Sequence, residues 1–179
     1  MTNKRADPTV AALLLIGFAT LLFGMIGMLI YLDDAAAKVF LDATPSFVYL
    51  IGAAMLLFTF MAGKSGNQFG IALFSFVAVS FYAVLLALPT SKITVDFHQG
   101  LYLVAMFYIV FTAVAYLIGA PKILAVLLLM VAFLFFFVGL FLSKGEELYA
   151  MMFGIFGLAA FLISTYLGVA LASEKLPIR

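Results

Sequence analysis

Cysteine and tryptophan are absent from the 179 residues, histidine occurs once, and only 9% of the side chains are charged. Without cysteine there is no disulfide, no thiol nucleophile and no thiolate-bound metal. A lone histidine, His98, falls short of the roughly three or four converging ligands that a metal site needs. Read as a sequence, it is a solvated loop residue. A net charge of +1 supplies no global field for nucleic acid or acidic partners. The most informative absence is local. No Asp, Glu, Lys, Arg or His falls within Val10–Leu32, Ser46–Ala62, Phe69–Leu88, Leu101–Gly119, Ile123–Leu142 or Leu148–Ala172. Those runs hold no buried carboxylate or histidine for a proton relay. They also hold no nucleophile, base and metal-ligand set, so no catalytic residue, metal or cofactor is expected and the chain reads as a non-enzyme.

What is present is apolar. AVILMFWYC residues make up 68% of the chain, against about 45–50% in soluble domains, and a small soluble fold could not cover that much. A helix needs about 20 apolar residues to cross a bilayer. The six runs predict an all-α, polytopic membrane protein of six transmembrane helices forming one domain over 1–179. Lys4 and Arg5 precede the first run as in a signal peptide, but the run is too long for a cleavable apolar region of about 7–15 residues. The second run is the shortest and reaches spanning length if Pro45 opens its first turn. Breakers separate the runs at 63–67, 89–99, 120–122 and 143–147. Gly119 followed by Pro121 suits one helix ending and the next beginning.

An even number of crossings puts both termini on one side. With the termini inside, Lys4, Arg5, Lys64, Lys122, Lys175 and Arg179 lie inside, and only Lys38, Lys92 and Lys144 lie outside. That asymmetry obeys the positive-inside rule and predicts N-in, C-in at the cell membrane.

Small residues recur within the runs: Gly17, Gly24 and Gly27 in the first, Gly154, Gly157 and Gly168 in the last. At helical spacing they form stripes that let helices approach closely. The alternative is that some line a narrow path. Thr112, Ser75 and Ser80 could meet a solute, or bond back to carbonyls of their own helices. Phe133-Leu134-Phe135-Phe136-Phe137 goes right round its helix, so it reads as lipid-facing or packed.

Particular segments carry a resemblance. Gly66-Asn67-Gln68-Phe69-Gly70 resembles the GNxFG signature of the acetate uptake transporter family, also called the succinate–acetate permease family. Gly100-Leu101-Tyr102-Leu103 and Phe111-Thr112, then Gly119 and the basic turn at Lys122, are similar to that family's fourth helix. Gly154-Ile155-Phe156-Gly157-Leu158 with Tyr166-Leu167 resembles its sixth. The N-terminal signature, Asn-Pro-Ala-Pro-Leu-Gly-Leu before a Gly-Phe pair, is degenerate here. Its counterpart is Asp7-Pro8-Thr9-Val10 with Gly17-Phe18. Asp7 as N-cap and Pro8 in the first turn would start a helix well, and the same helix end could face an anion.

The resemblance implies passage of acetate and related small monocarboxylates, in some members succinate, through each protomer of a ring-shaped hexamer in the lipid bilayer. It implies a constriction of bulky side chains from the first, third and fifth spans. Those positions fall on Phe18, on Phe76 or Val77, and on Val131. It also implies that Asn67 offers an amide near the inner mouth, or caps the third helix, and that Thr112 offers a hydroxyl midway. Three functions follow from the residues and the resemblance together. The first is a carboxylate transporter or channel. The second is a channel for a neutral solute such as urea, a short amide, ammonia or carbon dioxide, which charge-free spans allow equally. The third is a structural subunit that conducts nothing.

Overall fold

The computed structural model describes residues 8–87 and 98–173. All regular structure among them is helical: α1 (Thr9–Leu32), α2 (Asp34–Ser65), α3 (Gln68–Ala87), α4 (His98–Leu117), α5 (Lys122–Lys144) and α6 (Glu147–Ser173). All six contain a span long and apolar enough to cross a membrane. Five of the six expected spans coincide with these helices to within a few residues.

The second does not. The expected loop before Pro45 is helix, and α2 runs for 32 residues straight through that proline. A single residue makes the connection. Asp33 is extended (φ −156°, ψ 94°) and its N–H closes α1 on the Leu29 carbonyl at 2.7 Å. Its side-chain oxygen accepts from the Ala36 N–H at 3.2 Å, which caps α2. Three alanines then favour helix. Pro45 has no N–H to give the Leu41 carbonyl, but the helix on either side is long enough to carry that loss. At about 1.5 Å per residue, α2 exceeds a hydrocarbon core of about 30 Å. The Lys38–Asp42 segment therefore extends past it unless the helix tilts.

Glycines set the frame. A Cβ built on Gly27 would lie 2.5 Å from the Ala150 carbonyl oxygen, and one on Gly157 would lie 2.7 Å from the Gly24 nitrogen. α1 and α6 thus touch backbone to backbone, the close approach that small residues permit where lipid offers no hydrophobic drive. Ser164 Oγ adds a buried hydrogen bond to the Leu13 carbonyl across the same seam. Gly17, Gly24, Gly27, Gly154 and Gly157 all face the partner helix, which excludes the alternative that these five line a path. Further helix pairs are α4 with α5, α2 with α3, α5 with α6 and α1 with α2, while α3 and α4 meet more sparsely.

The outer surface is apolar. Leu50, Leu57 and Phe60 on α2, and Leu103, Met106, Phe107, Val110 and Leu117 on α4, are all more than half exposed. A contiguous face of that kind calls for lipid or protein against it rather than water. With helices that satisfy their own backbone groups, this is a multi-pass membrane protein.

Candidate functional site

Three voids follow one another along α1. The first is a vestibule of about 220 Å³, where α1, α3 and α5 begin and α6 nears its end. Its lining includes Thr9, Asn67, Phe69, Gly70, Pro121 and Leu171. Leu13, Leu73 and Leu124 form its floor and also line the next void. That second void is a neck of about 20 Å³ among α1, α3, α4 and α5. Its wall includes Ile16, Thr20, Phe23, Val77, Phe81, Tyr108, Val131 and Phe135. The third is a cleft of about 10 Å³ between α1 and α2, lined by Ala19, Leu22, Ile26, Phe40, Thr44, Val48 and again Phe23.

The neck holds space on the order of one water-sized sphere. Its only polar side chains are Thr20 and Tyr108, and both hydroxyls are engaged. Thr20 Oγ1 donates to the Gly17 carbonyl at 3.0 Å. Tyr108 pairs with Ser80, whose own Oγ donates to the Phe76 carbonyl at 2.7 Å. No buried side-chain nitrogen or oxygen among the described residues lacks a hydrogen bond. The neck is therefore almost wholly apolar, a poor site for water, which needs about two to four polar partners. Phe23 and Phe81 close its far end as stacked rings, 6.2 Å between centroids.

The GNxFG segment has a physical account at this end of the bundle. Gly66 takes a positive φ of 79° in the turn between α2 and α3, where a side chain would be strained. Asn67 then caps α3, its Oδ1 accepting from the Gly70 N–H at 2.8 Å. A Cβ on Gly70 would lie 2.8 Å from the Asn67 amide carbon, so glycine there makes room for the cap. Asn67 Nδ2 also donates to Thr9 Oγ1 of α1 at 3.3 Å, tying two helix starts together on the vestibule wall. Asn67 thus takes the capping role, and it also stands in the vestibule wall with its amide oxygen and nitrogen both bonded within the protein.

The other expected positions divide. Val77 and Val131 lie in the neck wall, buried to 4% and 5% exposure. Phe18 does not. It is 45% exposed on the outer face of α1, and Ile16 and Thr20 face the neck instead. Phe76 packs among Phe107, Tyr108 and Phe111 beside the wall, with centroid separations of 5.4, 5.0 and 5.3 Å. Thr112 Oγ1 donates to its own helix at the Tyr108 carbonyl, 2.8 Å away, and lines none of the three voids. Tyr166, on α6, is likewise outside their linings and 38% exposed. Pro8 itself, rather than Asp7, is the N-cap of α1, with helical angles and a carbonyl that accepts from the Ala12 N–H at 2.9 Å. Asp7 lies outside the described residues.

Tyr108 and Phe135 were missed. Phe135, read as lipid-facing or packed, stacks on Tyr108 with rings 9° from parallel and reaches the neck. The available signal was a tyrosine in mid-span on the fourth helix, an uncommon place for a hydroxyl that must find a partner.

The arrangement defines a class: a multi-pass membrane protein of six apolar helices, four of which enclose a narrow apolar neck behind a vestibule. Among solved structures, the bacterial acetate channel SatP has this fold. The match has a TM-score of 0.76, covering 97% of this chain and 99% of that one at 18% sequence identity. No protein-family model and no curated protein matches the sequence.

Proposed function

We propose that the chain is a member of the acetate uptake transporter family and carries acetate and related small carboxylates, succinate among them, across the cell membrane. The observation behind this reading is the run of voids along α1 inside one protomer, in a fold shared nearly end to end with an acetate channel. In this reading Val77 and Val131, joined by Ile16, form the constriction, and Asn67, Phe69 and Gly70 shape the inner mouth. The termini face the cytoplasm, as the lysine and arginine asymmetry indicates. The apolar faces of α2 and α4 are available to lipid and to neighbouring protomers of a hexameric ring.

A constriction without charge sets the form of the solute. Moving a carboxylate into such a neck incurs a desolvation penalty of several kcal/mol or more, with no cation to offset it. The neutral acid avoids that cost. Flux at fixed total acetate should then fall about tenfold per pH unit above the acid's own pKa, about 4–5 by analogy with side-chain carboxyls. The same apolar wall favours a second reading, passage of a neutral solute such as urea or a short amide.

Reconstitution decides. Counterflow of labelled acetate, competed by propionate or succinate, is the expected result. Urea flux without carboxylate competition moves the assignment to the second reading. No flux of either, in vesicles holding folded protein, removes both and leaves a structural subunit.

A further inference from the structure

The vestibule leads only as far as the neck, and neither the neck nor the cleft, at about 20 and 10 Å³, has room for an organic acid. The two are separated by one side chain. Among the described residues, Phe23 alone lines both. Its position on α1 explains why. A long side chain in a helix leans back over the residues three and four before it. For Phe23 these are Thr20, which faces the neck, and Ala19, which faces the cleft. Helical side chains of this kind have two open χ1 wells. Ala19, on the cleft side, is small and completely buried.

We infer that Phe23 is the gate of the transport path, its ring being the partition that must shift to join the neck to the α1–α2 cleft as the second half of the route. This rests on the transport reading and extends it. The route then does not follow the bundle axis throughout, but bends toward α2 past Thr44. Thr44 is 6% exposed and its hydroxyl is bonded to the Phe40 carbonyl at 2.8 Å, the one polar side chain of the cleft. Phe23 should also set the size limit, because its ring occupies the junction through which the solute must pass.

Acetate counterflow in reconstituted vesicles tests this with Phe23→Ala and Phe23→Trp. Alanine should raise the rate roughly threefold or more and admit butyrate, while tryptophan should lower it about tenfold. Phe23→Leu, which keeps much of the bulk, covers the case in which alanine does not fold, and should show a smaller rise. Wild-type rates and size selectivity in all folded variants overturn the gate while leaving the transport reading intact. If the wild type itself carries no acetate, that reading fails, and the gate is judged by chemistry alone. The chain has no native cysteine, so Val77→Cys gives a single thiol in the neck. In oriented vesicles, a small membrane-impermeant thiol reagent applied from the α1–α2 connection should label it several-fold faster when Phe23 is alanine. An unchanged labelling rate overturns the inference.

Discussion

α1 has two faces that are packed in opposite ways. Toward α6 it presents Gly24 and Gly27, and the two backbones are so close that a methyl group on either glycine would fall within 3 Å of α6 atoms. Toward α3 and α5 it presents Leu13, Ile16, Thr20 and Phe23, and between these and their neighbours space is left. One helix is thus clamped on one side and spaced on the other. Small residues fix the frame, and branched and aromatic ones hold a neck slightly open, with Thr20 and Tyr108 the polar residues of its wall. Close packing and open space are separated around one helix rather than along the chain.

Substitutions that trade the properties of these faces should have effects that fall in a definite order. The largest is expected at the seam. Gly157→Leu drives a side chain into the Gly24 backbone and the Thr20 carbonyl, neither of which can yield as a rotamer can. The cost should reach the upper end of the roughly 1–3 kcal/mol typical of overpacking, or exceed it. Loss of monodisperse protein in detergent is the readout; a normal elution profile and thermal midpoint would show that α1 and α6 are not clamped here. On the open face the same kind of enlargement should be tolerated by the fold and felt by the solute. Val131→Phe fills a neck of about 20 Å³, and acetate counterflow should drop about tenfold with little change in thermal midpoint. Undiminished flux removes Val131 from the constriction.

Asn67 joins the two behaviours, being both cap and vestibule wall. Asn67→Leu should cost about 1 kcal/mol of stability, leave assembly intact and lower flux. Loss of the assembled protein would mean that the cap and the link to Thr9 matter more than the mouth. The smallest effect is expected at Phe18, on neither face. With its ring turned outward, Phe18→Ala should shift stability by no more than about 0.5 kcal/mol and leave counterflow at the wild-type rate. A marked loss of transport would return Phe18 to the path.

The sequence revealed the spans better than the path through them. Spans are written in runs of apolar residues, and the solvent for those runs follows from their length. The large departure is the start of α2, which lies at Asp34, well before the apolar run that Pro45 precedes. Asp33 is in fact a cap, and three alanines after a cap are a helix signal. The glycine seam was legible because close packing leaves small residues at helical spacing. The neck was not. When every face of a helix is apolar, composition does not distinguish lipid from partner from void. Phe18 and Ile16 are equally hydrophobic, and only the direction set by Gly24 and Gly27 on the clamped face decides that Ile16 points inward. Likewise, the hydroxyls of Thr112 and Ser80 bond to carbonyls of their own helices rather than to a solute.

The claim on which the rest depends is that solute moves inside the protomer, from the vestibule through the neck. Leu73 stands where those two voids meet. In this cysteine-free chain, Leu73→Cys supplies one thiol at that junction. Attaching a bulky thiol reagent there should abolish acetate counterflow, and reduction should restore it. Full counterflow after complete modification would place the route somewhere other than between α1, α3 and α5.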